Sequence, residues 1–217
     1  YAEQGAPTSA EAVLRLMFED YYNGNLTAEP NVRVYTNVLH AWRKSEDLMA
    51  LSRIESILSD MDSKFTKRGL RNCRPDKFAY TVAFHCLADT NNPSVAEDAD
   101  RLLAIMKRQY EEGNQELKTD HVMFTNVLNI FVSNPKTHDR AEGYLWSMID
   151  EFKEGNHSLK LNIRNFNTVV AMWSKSPVPD AALRAQAMVT RLLKMNESNE
   201  LNLAPDEFTY ALLLKTW

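Results

Sequence analysis

Residues 34–42 read VYTNVLHAW, and four later stretches repeat the pattern: AYTVAFHCL at 79–87, MFTNVLNIF at 123–131, NFNTVVAMW at 165–173 and TYALLLKTW at 209–217. Each has an aromatic at its second place: Tyr35, Tyr80, Phe124, Phe166 and Tyr210. The intervals between these rings are 45, 44, 42 and 44 residues. Apolar residues follow each ring at +3, +4 and +7, as in Tyr35, Val38, Leu39 and Trp42. That spacing is one face of an α-helix, and these segments are termed the A helices.

A second motif alternates with the first, an alanine followed by apolar residues at +3, +4 and +7. It reads Ala10, Val13, Leu14, Met17, then Ala99, Leu102, Leu103, Met106, then Ala141, Tyr144, Leu145, Met148. Ile54, Ile57, Leu58, Met61 and Ala185, Met188, Val189, Leu192 are variants. These are the B helices, whose small residue allows close approach to the paired A helix. Gly24, Gly69, Gly113 and Gly155 follow seven or eight residues later, with Asn199 in the last such place. Glycine or asparagine there predicts a left-handed helix stop. Pro30, Pro75 and Pro205 precede A helices, while Pro7, Pro93, Pro135, Pro177 and Pro179 fall between A and B helices. Between helices, a missing N–H costs little.

The chain therefore divides into a half repeat (1–31), four repeats (32–76, 77–120, 121–162, 163–206) and a leading half (207–217). A helix pair cannot bury its apolar face alone, and stacking solves that. The expectation is one all-α domain over 1–217, a right-handed α-solenoid of antiparallel helix pairs with the A helices lining its concave side. The rings at 35, 42, 80, 124, 131, 166, 173 and 210 are expected to be buried, and Trp217 exposed.

Composition bounds what such a fold can do. At 217 residues, 44% apolar and 25% charged, the chain can bury a sizeable core. No run approaches the roughly 20 apolar residues of a membrane helix. Two cysteines, Cys73 and Cys86, argue against a disulfide scaffold and fit a reducing compartment. The net charge of −4 excludes a globally basic nucleic-acid binder but not a local basic face. The sequence begins at Tyr1 without Met or a targeting peptide, and is expected to be a piece of a longer protein.

The two motifs together resemble the pentatricopeptide repeat, a member of the tetratricopeptide-like helical superfamily. PNVRVYTNVLHAW, RPDKFAYTVAFHCL and APDEFTYALLL carry the likeness most specifically. The tetratricopeptide repeat proper is excluded by the absence of its W-x2-L-G-x2-Y signature. The family's usual unit is shorter than the 42–45 residues found here. The excess falls between the helices and after the B motif, where it would add about one turn to each B helix, plus loop.

The resemblance implies sequence-specific binding of single-stranded RNA, one base per repeat. It also implies an adaptor role in organellar RNA processing or stability, in a mitochondrion or plastid. Two positions select the base in that family, the residue after the A-helix aromatic and the last residue of the unit. Carried over, these are Thr36 with Asp76, Thr81 with Asp120, Thr125 with Asn162, and Asn167 with Asp206.

The chemistry follows from the side chains. Ionised Asp only accepts hydrogen bonds, so it suits the ring N–H of guanine or uracil, while Asn donates and accepts, suiting adenine or cytosine. Short Thr leaves room for a purine, and longer Asn suits a pyrimidine. The four pairs read 5′-GGAU-3′. The plain alternative is that Asp and Asn before a helix are N-caps; the two roles are compatible.

The second position of each A helix, where the family stacks the base, holds Arg33, Phe78, Val122, Arg164 and Phe208. Packing between repeats is the alternative use of these side chains. Lys44 and Lys175 fall in the family's phosphate-contacting column, where the other two repeats have Asp89 and Ser133. The A-helix segments are net positive within a negative chain, as an RNA-facing surface requires.

No chemistry-bearing constellation competes with this reading. CxxC, HExxH, GxxxxGK[ST] and GxGxxG are absent. His40 and His85 share a column that Asn129 and Ala171 then break, and His121, His138 and His157 are isolated. Neither cysteine has an evident partner base. The expectation is no enzyme, no cofactor and no metal. Two alternatives stand beside RNA: a scaffold that binds other proteins, or the substrate-binding arm of an enzyme whose catalytic domain lies outside this chain.

Overall fold

Every A motif folds as a helix that begins at the first residue of its unit. These helices are α2 (Val32–Arg43), α4 (Lys77–Asp89), α6 (His121–Ser133), α8 (Ile163–Trp173) and α10 (Glu207–Lys215). The B motifs form α1 (Pro7–Tyr22), α3 (Ala50–Arg68), α5 (Val95–Glu111), α7 (His138–Lys153) and α9 (Ala181–Glu197). The computed structural model describes residues 7–45, 47–89 and 94–217, and among these there is no strand, so the fold is all-α.

The B helices are long, 16–19 residues. Their stops are left-handed: φ is +68° at Gly69, +100° at Gly113 and +57° at Asn199. Only glycine adopts this region without a Cβ clash, and asparagine tolerates it best among the rest. A 3-10 turn stands ahead of the next A helix in the half repeat and the first three repeats, at Leu26–Ala28, Arg71–Cys73, Gln115–Leu117 and His157–Leu159, whereas the fourth repeat has an irregular loop there. One proline departs from its expected interhelical place: Pro7 is the first residue of α1, whereas Pro135 lies between α6 and α7 as expected and opens a 3-10 turn, Pro135–Thr137. Both are positions where the missing N–H would have no helical partner. Pro93 lies outside the described residues.

The chain forms two compact units, Tyr1–Lys118 and Thr119–Trp217. In the first, α2 packs on α1, α3 and α4, and α4 packs in turn on α3 and α5. In the second, α8 packs on α6, α7, α9 and α10. Within each unit, then, an A helix touches its own B helix, the preceding B helix and the next A helix. Tyr35, Trp42, Tyr80, Phe124, Phe131, Phe166 and Trp173 are all buried. Each such ring contributes roughly 2–3 kcal/mol by leaving water.

Two expectations about the apolar faces need correction. Tyr210 is 44% exposed rather than buried, because α10 packs on α8 and α9 and, among the described residues, no following B helix covers its ring. Trp217, beyond the end of α10, is exposed as expected. On α1 the buried residues are Leu14 and Phe18, while Val13 is exposed, since no A helix precedes α1 among the described residues.

A polar staple recurs where the rings end. In the first unit Trp42 Nε1 donates to Glu11 Oε1 (2.7 Å), Arg53 donates to the other oxygen of Glu11 (2.5 Å), and the Arg53 guanidinium lies over the indole. In the second unit Trp173 Nε1 donates to Glu142 Oε2 (3.1 Å), Arg184 lies over the indole, and Arg184 also pairs with Asp139. Each staple ties two successive B helices to the A helix between them.

Among the described residues, no helix is long and apolar enough to cross a membrane, and no group of His, Cys, Asp and Glu has the spacing of a metal site.

Candidate nucleic-acid interface

The last residue of each unit is an N-cap. Asp76 accepts from Ala79 N (2.9 Å), and Asp120 accepts from Val122 N and Met123 N (3.1 and 3.0 Å). Asn162 accepts from Asn165 N (3.2 Å), and Asp206 accepts from Thr209 N (2.8 Å). Asn31 caps α2 in the same way. Capping uses one oxygen of each side chain and leaves the rest of the group at the helix mouth. A carboxylate there also meets the positive end of the helix dipole.

A second interaction supports three of the five caps, Asn31, Asp76 and Asp120, through side chains to which sequence reasoning gave no such role. The carbonyl just before a cap is held by a side chain from the next repeat's loop. Cys73 Sγ contacts the Pro30 carbonyl (3.2 Å), Asn114 Nδ2 donates to that of Pro75 (2.8 Å), and Asn156 Nδ2 donates to that of Thr119 (3.1 Å). The signal was present: an Asn directly follows the stop glycine at Gly24, Gly113 and Gly155. Nothing in the sequence, however, says which carbonyl it would reach. The same burial pushes the Cys73 thiol up to about 11 and raises that of Cys86, so both stay protonated near neutral pH.

The residue after the A-helix aromatic is more deeply set. The hydroxyls of Thr36 and Thr125 donate back to the carbonyls of Val32 (2.8 Å) and His121 (2.7 Å), one turn earlier. Thr81 is half-buried on α4. Asn167 is buried, and its amide is engaged: Nδ2 donates to Asp206 Oδ1 (3.1 Å), and Oδ1 accepts from the Thr209 hydroxyl (2.7 Å). The fourth pair is thus in direct contact. In the third repeat Asn165 Nδ2 lies 3.5 Å from Thr125 Oγ1, a longer version of the same link.

The second position of every A helix is in solvent. Phe78 is 73% exposed, Phe208 60% and Val122 50%, and Arg33 and Arg164 are exposed as well. Packing between repeats does not occupy these side chains. Large apolar groups recurring in water at one register position are more informative than scattered ones.

Lys44 and Lys175 are both exposed beyond the ends of α2 and α8. In the two repeats without lysine the column is spoken for. Asp89 pairs with Arg43 (2.9 Å), and the Ser133 hydroxyl donates to the Asn129 carbonyl (2.7 Å). Partial burial, with the charges of Arg43 and Lys44, lowers the His40 pKa.

Five of the sequence-selected residues converge in the second unit. A groove of about 720 Å3 is lined by Arg164, Asn167, Asp206, Phe208 and Lys175, with apolar walls such as Met172. It offers a ring and a guanidinium for stacking, a carboxylate–amide pair and a cation. The hydrogen bond from the Thr209 backbone N–H, with a further one from Asn167, holds the Asp206 carboxyl below its ordinary pKa, so it is an anion and an acceptor at neutral pH. Its volume falls in the range of small-ligand sites. Comparison of the chain with protein-family models, with curated proteins and with solved structures finds no match.

Proposed function

We propose that the protein binds single-stranded RNA along the N-terminal ends of its A helices, one base per helix pair, and serves as an adaptor in organellar RNA processing or stability. The observation that carries the reading is the exposed second-position column, Arg33, Phe78, Val122, Arg164 and Phe208, standing beside a capping residue in each repeat. Guanidinium, aromatic and apolar faces stack on any base, worth roughly 1–3 kcal/mol per base. A carboxylate or amide at the helix mouth then reads the Watson–Crick edge. Continued stacking of the helix pairs as a right-handed solenoid brings these stations into line. Asp76, Asp120 and Asp206 accept from ring N–H donors, Asn162 both donates and accepts, and the preferred sequence is 5′-GGAU-3′.

The test is an NMR titration of the chain with GGAU and with permuted RNAs of the same length. The expected result is saturable shifts at residues near Phe78, Val122 and Phe208, weakest for the permuted RNAs and for duplexes. Raising salt weakens binding with a shallow slope, since Lys44 and Lys175 are the only lysines of their column. Shifts that are identical for every RNA, or absent, refute the reading. An absence of shifts at these exposed side chains would favour a protein ligand in their place.

A further inference from the structure

Thr209 is fully buried, yet its hydroxyl sits at the centre of the fourth station. It accepts from Asp206 N (3.1 Å) and presents its single proton to Asn167 Oδ1 (2.7 Å), with Asp206 Oδ1 (2.8 Å) as the competing acceptor. Asp206 Oδ1 already receives Asn167 Nδ2 and Thr209 N. Among the described residues the amide oxygen of Asn167 has no other donor, so the hydroxyl proton belongs there.

Three consequences follow for the groove. The Asn167 amide has one orientation, because the flipped one would set its oxygen against the Asp206 carboxylate. Its acceptor atom is consumed inside the protein. What remains toward the groove is one amide N–H and the outer carboxylate oxygen, Asp206 Oδ2: one donor and one acceptor.

We propose that Thr209 is a specificity-determining positioning residue for the fourth base, holding the Asn167–Asp206 pair in a donor-plus-acceptor state that admits uracil and rejects cytosine. The proposal rests on the RNA reading above. Uracil offers a carbonyl acceptor beside its N3–H donor, which the locked pair matches. Cytosine offers an acceptor at N3 and a donor at N4, and needs a ready acceptor from Asn167 to compensate. The Thr209 hydroxyl denies it that acceptor. The corresponding residue ahead of the aromatic is Val34, Ala79 or Met123 in three other A helices, none of which carries a hydroxyl or amide. In the fifth it is Asn165, whose link to Thr125 is longer (3.5 Å). The lock is therefore a property of the fourth station, with a weaker relative at the third.

Thr209→Val keeps the shape and deletes the hydroxyl; Thr209→Ser keeps the hydroxyl. The measurement is the ratio of affinities for GGAU and GGAC within each protein, by NMR titration of the whole chain. A ratio cancels any general loss of stability or affinity from the weakened cap. The wild type and Thr209→Ser are expected to prefer GGAU, and Thr209→Val to lose on the order of tenfold of that preference, the scale of one base contact. An unchanged ratio in Thr209→Val overturns the positioning role while the RNA reading stands. Absence of RNA binding by the wild type overturns the RNA reading and the specificity role with it. The lock has its own readout: the Asn167 side-chain amide resonances should shift and exchange faster in Thr209→Val alone, and identical signals in all three proteins overturn it.

Discussion

Asn162→Asp separates reading a base from capping a helix. Asn162 caps α8 through one oxygen, which accepts from Asn165 N at 3.2 Å. A carboxylate performs the same task at Asp76, Asp120 and Asp206, at 2.8–3.1 Å. Among the described residues, the one other side-chain bond of Asn162, from Nδ2 to the Lys160 carbonyl, is long (3.4 Å) and exposed. Its loss costs little, and the new charge at the helix N-terminus contributes about 0.3–1 kcal/mol in the other direction. Stability should therefore stay within about 1 kcal/mol of the wild type. Base choice should move, because the amide donor that matches adenine becomes an acceptor that matches guanine. One base contact is worth about 1–3 kcal/mol, or roughly 5- to 150-fold in relative affinity. The assay pairs thermal unfolding, followed by circular dichroism, with titration of GGAU against GGGU. Asn162→Ala is the control: it loses the cap and about 1 kcal/mol of stability. If Asn162→Asp keeps its stability and still prefers adenine unchanged, the code fails at this repeat.

Two further predictions concern the second unit. Glu142→Ala orphans the indole N–H of buried Trp173, so this unit should lose about 1–3 kcal/mol in chemical denaturation; a loss confined to a few tenths would mean the staple is only a surface ion pair. Burial lowers the pKa of His138, which packs edge-on against Trp173 with Nδ1 3.0 Å from Ser176 Oγ. A group depressed in the folded state contributes stability above its unfolded value of about 6.5, and that contribution is lost as pH falls through the folded value. Acidification from about pH 7.5 to 5.5 should thus destabilise the protein, and His138→Asn should reduce the slope, read from unfolding midpoints across pH; a slope left intact by the substitution would refute His138 as its source.

The helical repeat was legible because two periodicities and their punctuation agree. Aromatic-plus-3-4-7 marked the A helices, and the start of each falls at the first residue of its unit. The stop glycines were readable for a local reason, a backbone region that side chains avoid. What the sequence concealed depended on partners about forty residues away. That Glu11 reaches Trp42 and Arg53, or that Asn114 reaches the Pro75 carbonyl, follows from packing that no local pattern states. The exposure of Phe78 and Phe208 was equally unreadable, since an aromatic one place before or after a core position has the same composition as a buried one. Thr209 was hidden in plain sight: its column is apolar in most repeats, so its hydroxyl had no precedent within the chain. Tyr210 was misjudged because a motif records the face a helix wants to bury, not whether a neighbour is there to bury it.

The loop clamps carry a lesson for transplanting repeats. Because Asn114 grips the Pro75 carbonyl and Asn156 that of Thr119, the piece of backbone that seats a capping residue belongs to one sequence unit while its anchor belongs to the next. The smallest graft that carries a station intact consequently overruns the sequence repeat: for Thr36 and Asp76 it runs from α2 through the loop after α5, where Asn114 sits. A cassette cut at the sequence boundary would import the reading residue and leave its anchor behind. Chimeras extended through the 3-10 turn of the next repeat should keep base choice and stability together, whereas those joined at the cap should part them.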